Sequence, residues 1–182
     1  MIYIIFVLSI AIHELGHVIS SKIFHINFGM IKFTLLGFSS NTSSLIGCEN
    51  YKKIIIMLSG ALFNIILALS LCFLNYDKLK LWIYTNLGLG IINLLPIIPL
   101  DGANVILCVL NKRFNSKKAI GIGLKISKIL LIIISFLYAC LIILVKNVFI
   151  LFMIIYLWYL FLEENNNFKT YFRIEEMLKR FN

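Results

Sequence analysis

Of the 182 residues, 61% are hydrophobic and 14% are charged, and the mean hydropathy is +0.98. A soluble domain is about 45–50% apolar and about 25% charged, so this composition excludes a soluble globule and, by its apolar content, a disordered chain. The formal charge of +9 comes from 17 basic and 8 acidic residues; the basic residues stand in the gaps between apolar runs, which points to membrane topology and away from nucleic acid.

The first apolar run, Met1 to about Phe24, has no basic residue before Lys22. It lacks the basic start and small-residue cleavage site of a secretory signal, so a retained helix is expected. His13-Glu14-Leu15-Gly16-His17 interrupts the run. On a helix, His13 and His17 stand one turn apart on one face, where two imidazoles reach the same Zn²⁺, and Glu14 stands to the side as general base for a water molecule. Shuffling this composition yields the H-E-x-x-H pattern about 0.0014 times per chain, so chance is a poor explanation for it. His25 falls outside the main run and reads as an interfacial side chain.

After this helix, Ile31-Lys32-Phe33-Thr34-Leu35 alternates with a strand period, and Gly37 with the Ser39 to Ser44 cluster supplies turn chemistry. A small membrane-associated β-hairpin is expected here. Further apolar runs follow at about Ile54 to Leu74, Leu81 to Leu95 continuing brokenly to Leu110, Ile126 to Val145, and Val148 to Leu162. Cys48, Cys72, Cys108 and Cys140 show no C-x-x-C pairing and are expected to be small buried hydrophobes. The tail from Phe168 to Phe181 mixes an apolar stripe with charges, as an interfacial helix does.

The expected architecture is an all-α polytopic membrane protein with about five transmembrane helices around a three-helix catalytic core. Residues 1–162 would form the membrane domain and 163–182 a cytoplasmic amphipathic tail. With the amino terminus outside, 14 of the 17 basic residues fall on the cytoplasmic side and only Lys78, Lys80 and Lys146 outside. That asymmetry favours a cytoplasmic carboxyl terminus.

Glu14 and Asp101 are the two acids that fall within apolar segments. A charge at membrane depth costs at least about 2.5–3.5 kcal/mol on insertion scales, so each is expected to have a partner and a function. Catalytic zinc takes three protein ligands, and Asp101 is the acid available to complete the pair of histidines. It lies in Asn93-Leu-Leu-Pro-Ile-Ile-Pro-Leu-Asp101-Gly102, where Pro96 and Pro99 prevent a regular helix. Irregular backbone at membrane depth must be buried in protein or line a water-filled cavity. His17 precedes Lys22 by five residues and Asp101 precedes the Lys112 to Lys118 basic cluster, so both halves of the site are expected in the cytoplasmic half of the bilayer.

His13 to His17, Gly60-Ala-Leu-Phe-Asn64 and Asn93 to Gly102 resemble the three signatures of the site-2 proteases, intramembrane zinc metalloproteases of peptidase family M50. The Asn-Leu-Leu-Pro-x-x-Pro-Leu-Asp-Gly form, with Phe161-Leu-Glu-Glu164 leading into a basic tail, is most similar to the branch of stage IV sporulation protein FB. The resemblance implies His13, His17 and Asp101 as zinc ligands, Glu14 as catalytic base, Asn93 as a polar group at the active-site cleft, and Asn64 either as a second substrate-facing group or as an interhelical hydrogen-bonding residue beside Gly60 and Ala61. It implies a bacterial multi-pass enzyme that cuts a membrane-tethered pro-protein near the cytoplasmic face, a sporulation pro-sigma factor in the membrane around the forespore, under regulatory membrane proteins. Members of that branch typically carry another helix before the His-Glu helix and a nucleotide-sensing CBS domain after the tail; with neither among these 182 residues, regulation by nucleotide is not expected from this sequence. The rival reading is a non-enzymatic membrane metal-binding or transport protein, but transporters usually show paired repeats and midplane polar groups, whereas this sequence shows no repeat and a one-sided site.

Overall fold

The computed structural model describes residues 2–26, 32–34, 37–39, 49–74, 76–145 and 148–181. Its helices are α1 (Ile2–Ile23), α2 (Asn50–Cys72), α3 (Lys80–Asn93), α4 (Asp101–Leu110), α5 (Ser116–Val145) and α6 (Val148–Phe181), with a 3-10 turn at Asp77–Leu79. Two compact units divide the chain, Met1–Leu95 and Pro96–Asn182.

Three helical segments among the described residues, and not the five expected, are long and apolar enough to cross a membrane: Tyr3–Ile23, Asn50–Cys72 and Ser116–Cys140. The third apolar run is cut by Pro96 and Pro99 into α3 and α4, of 14 and 10 residues, both short of the roughly 20 that a span needs. The expected fifth span is the beginning of α6, which continues unbroken for 34 residues through the tail. At 1.5 Å per residue α6 is about 51 Å long, well beyond the roughly 30 Å of a hydrocarbon core.

Between α1 and α2, β1 (Lys32–Thr34) pairs antiparallel with β2 (Gly37–Ser39), Phe33 opposite Phe38. Two three-residue strands make only a short ladder and do not of themselves place this segment at a membrane. Ile31 and Leu35, at the ends of the expected strand, lie outside the described residues, as does Cys48.

The first unit buries polar groups beside its apolar core and exposes apolar side chains outside. Ser9, His13, His17 and Ser20 follow helical spacing along one buried face of α1, while Ile4, Val7, Leu15 and Ile19 are exposed on the other. On α2, Ile56, Gly60, Asn64 and Ala68 recur every four residues along the buried stripe. This distribution suits a bundle bathed in lipid, where polar groups face inward and find one another. Small residues bring the backbones close. A Cβ on Gly16 would lie 2.7 Å from the Ser59 carbonyl oxygen, and one on Gly90 would lie 3.0 Å from that of Ala61. Hydrogen bonds then lock the α1–α2 contact: Ser20 Oγ and Ser59 Oγ are 2.8 Å apart, and Ser59 Oγ donates to the Ile56 carbonyl at 2.6 Å.

The end of α1 explains its sharp stop. His25 takes a left-handed backbone conformation with φ 54°, its N–H donates to Lys22 O, and that of Ile26 donates to Ser21 O. This is the paired carbonyl closure of a Schellman cap. At the start of α2, the Tyr51 hydroxyl and then Lys52 hold the Glu49 carboxyl below its usual range, with Lys52 Nζ 3.2 Å from the carboxylate.

In the second unit, the interior of α5 and α6 is built by Leu131, Tyr138, Ile154, Leu157 and Phe161, and Trp158 Nε1 donates to Ser135 Oγ at 3.0 Å. Ile129, Ile132, Ile133, Phe136 and Leu137 of α5 are exposed, the pattern of a lipid-facing surface. The cysteines divide: Cys108 is buried as expected, but Cys72 and Cys140 are exposed, because their helical positions fall on outward faces.

Candidate metal centre

The histidine pair forms on α1 because the motif spacing is one helical turn. His13, Glu14 and His17 are all buried, with 5%, 7% and 4% of their surface exposed. Nε2 of His13 and Nε2 of His17 stand 3.2 Å apart. Two imidazole nitrogens on one tetrahedral zinc, each at about 2.0–2.1 Å, stand about 3.3–3.4 Å apart, so the pair already has the spacing of two ligands sharing one ion.

The tautomer of His17 follows from its other nitrogen. Nδ1 lies 2.7 Å from the Ile56 carbonyl oxygen of α2, an acceptor only, so Nδ1 carries the proton and donates it. The lone pair is thereby left on Nε2, which is the arrangement by which a neighbouring carbonyl orients a metal-binding histidine. Ile56 O also accepts from Ser59, so the strut that aims His17 is part of the same network that joins α1 to α2.

Gly60 completes the cradle. A Cβ at this position would fall against Nε2 of His17 and 2.8 Å from Cε1 of His13, so the space beside the two ligand nitrogens exists because residue 60 has no side chain. Asn64, one turn further along the same stripe of α2, is fully enclosed, and neither of its amide atoms has a hydrogen-bond partner among the described residues. A substrate-facing role for Asn64 therefore requires α2 to part from its neighbours. Asn93, the last residue of α3, is half-buried and donates from Nδ2 to Leu89 O at 3.0 Å.

Asp101 opens α4 in the second unit and is half-buried there. A carboxylate in the first turn of a helix is favoured by the unpaired N–H groups and the dipole of that end. The chain approaches it through an irregular segment in which Leu100 N–H donates to Ile97 O at 2.7 Å, while Ala103 and Asn104 N–H both donate to Leu100 O.

Asn86 and Ser127 are among the buried polar residues that escaped the sequence reading. Asn86 of α3 is fully enclosed, donating to Trp82 O while its Oδ1 has no partner among the described residues; Ser127 of α5 is also fully enclosed. A polar residue inside an apolar run was the available signal for both.

The donors present fit a zinc ion: neutral imidazole nitrogens at ligand spacing, one oriented by a carbonyl, in a buried cradle. Comparisons with known proteins agree. Residues 76–134 match the model of peptidase family M50. The chain is 28% identical over 159 residues to YydH of Bacillus subtilis (strain 168), provisionally named a peptide zinc metalloprotease protein, covering 70% of this chain and 59% of that one. It thus spans somewhat under two thirds of that relative's length. The fold is similar to that of the site-2 protease from Methanocaldococcus jannaschii, with a TM-score of 0.69 at 22% identity, over 89% of this chain and 76% of the other. The chain is thus similar to peptidase family M50 over residues 76–134, to a peptide zinc metalloprotease protein over most of its length, and to a site-2 protease in fold.

Proposed function

We propose that the chain is an intramembrane zinc metalloendopeptidase of the site-2 protease type, with His13, His17 and Asp101 as the zinc ligands and Glu14 as the catalytic base. The observation that carries the reading is the histidine pair, with ligand nitrogens 3.2 Å apart and His17 aimed by the Ile56 carbonyl. His13, His17 and Asp101 would hold a zinc ion whose Lewis acidity would activate water and polarise a peptide carbonyl. Glu14 takes the proton from the attacking water and passes it to the leaving amine. Asn93 and Asn64 hold the substrate backbone beside the reacting bond.

A substrate helix hides its carbonyls in its own hydrogen bonds, so it must unwind locally before hydrolysis. The β1–β2 ladder offers an edge to which an unwound segment adds as a further strand. On the five crossings expected from the sequence, the basic asymmetry supports an amino terminus outside, a site in the cytoplasmic half of the membrane and a product released to the cytosol. The chain is thereby a multi-pass bacterial membrane enzyme acting on a membrane-tethered pro-protein under the control of other membrane proteins. The form of the Asn93 to Gly102 segment supports a sporulation pro-sigma factor as that substrate.

The test is co-expression with a membrane-tethered pro-sigma factor, comparing wild type with Glu14→Gln. Cleavage by wild type alone supports the reading, and cleavage by both refutes the role of Glu14. Zinc binding without cleavage of any membrane-tethered substrate favours the non-enzymatic metal-binding reading.

A further inference from the structure

The segment between α3 and α4 presents a problem of unpaired backbone. It is irregular and buried: Ile97 and Ile98 expose 0% and 4% of their surface. Buried N–H groups need acceptors, and at membrane depth water is not freely available to serve. Pro96 and Pro99 have no N–H to satisfy, and Leu100 N–H is met by Ile97 O. For Ile98 the acceptor comes from 29 residues away, where Ser127 Oγ of α5 receives its N–H at 3.0 Å. The hydroxyl proton of Ser127 points back to Gly123 O at 2.9 Å, with Pro96 O at 3.3 Å.

Ser127 is fully buried, so these contacts are shielded from competing solvent. One turn earlier, Gly123 leaves room for two side chains: a Cβ there would lie 2.8 Å from Leu107 Cδ2 of α4 and 3.5 Å from Ile98 Cδ1. Gly123 and Ser127 thus form a notch on α5 that seats both the irregular segment and the body of α4. From Ile98 the path to Asp101 is three residues, stiffened by the Ile97–Leu100 turn and by the two N–H groups of α4 that grip Leu100 O. No part of that path is a flexible linker.

We propose that Ser127 is a positioning residue for Asp101: by capturing the Ile98 N–H it fixes where α4 begins and hence where the Asp101 carboxylate stands. The inference rests on the reading of Asp101 as a zinc ligand. Ser127 touches neither metal nor substrate and acts through the backbone alone. Partners that orient a ligand from outside the coordination shell typically contribute about 10–100-fold in metal affinity. A residue one step further removed belongs at the lower end of that range.

The experiment is zinc affinity of the full chain in detergent, measured by chelator competition, together with its thermal midpoint. Ser127→Ala is expected to weaken zinc binding about tenfold. Ser127→Cys, which nearly keeps the volume and retains a weak acceptor, should fall between Ser127→Ala and wild type and provides the readout if the alanine variant does not fold. Ser135→Ala, on the same helix as Ser127, removes the acceptor for Trp158 Nε1 of α6; it should lower the thermal midpoint and leave zinc affinity unchanged. Asp101→Asn should weaken zinc binding more than Ser127→Ala does, and adding Ser127→Ala to it should weaken binding no further. Wild-type affinity in the folded Ser127 variants, or additive losses in the double variant, would overturn the proposal while leaving Asp101 a ligand. Wild-type affinity in Asp101→Asn would overturn the ligand reading and the proposal with it.

Discussion

Gly60→Ala tests the histidine cradle with a single methyl group. Its Cβ would stand 2.8 Å from Cε1 of His13 and 2.7 Å from Cε1 of His17, at least 0.6 Å inside the 3.4 Å at which ordinary contact begins. Neither ring moves freely, since both are buried and His17 is held by Ile56. Ligand distances tolerate only about 0.2 Å of error, so relief by ring movement exceeds what the metal accepts. Overpacking of a close-packed site costs about 1–3 kcal/mol, and charged to zinc binding this is a loss of roughly 5- to 150-fold in affinity. Chelator competition on detergent-solubilised protein reads that loss. Gly88→Ala is the control, because a Cβ there meets nothing within 4 Å, and alanine is the better helix former by about 0.5–1 kcal/mol. Wild-type zinc affinity in Gly60→Ala would show that the two rings are not held at their ligand spacing by this contact.

Several further perturbations separate the elements of the reading. Glu14→Gln should keep its zinc and lose cleavage, because an amide cannot take a proton from water; loss of zinc would make Glu14 a ligand. His13→Ala and His17→Ala should each lose bound zinc by elemental analysis, and full occupancy in both would remove the centre. Stripping zinc with a chelator should lower the thermal midpoint of wild type, since a ligand that binds the folded state stabilises it, and should leave that of His17→Ala unmoved. Reporter fusions after Lys80 and after Asn182 should report opposite sides of the membrane; agreement between them would contradict the orientation drawn from the basic residues.

Motif chemistry was readable in advance because it is local. Helical periodicity alone puts His13 and His17 on one face, and the two prolines alone break the run before Asp101. What the sequence could not supply was packing. Nothing in the one-dimensional pattern says that the acceptor for His17 Nδ1 is the carbonyl of Ile56, 39 residues away, because any residue type offers a carbonyl. Gly60 was visible as part of a signature, but its purpose appears only when the missing Cβ is seen to lie among two imidazoles. The span count failed for a related reason: hydropathy sums over α3 and α4 as one apolar stretch, whereas the backbone between them turns and leaves two short helices. Hydropathy likewise drops at Glu163, yet α6 continues through it, because a helix leaving an apolar environment loses nothing in its own hydrogen bonds.

The enclosed amides sharpen what the bundle has to accomplish. A buried amide lacking its hydrogen bonds is destabilising by a few kcal/mol in an apolar interior, yet among the described residues Asn64 has no partner for either amide atom and Asn86 none for its Oδ1. Leucine at either position would raise hydropathy and remove that penalty, so stability does not account for them. Asn64 shares its buried α2 stripe with Gly60, which borders the histidine pair; Asn86 shares one face of α3 with Gly90, which borders Ala61 and Ile65 of α2. Both therefore belong to the layers that flank the metal cradle rather than to the lipid-facing shell. The proposed hydrolysis would require polar groups within reach of water and of an unwound backbone, and such groups are unsatisfied whenever neither is there. On that reading the buried polar groups of α1, α2 and α3 are a condition of the chemistry: exposed leucine, isoleucine and phenylalanine surround side chains that a wholly apolar core would exclude.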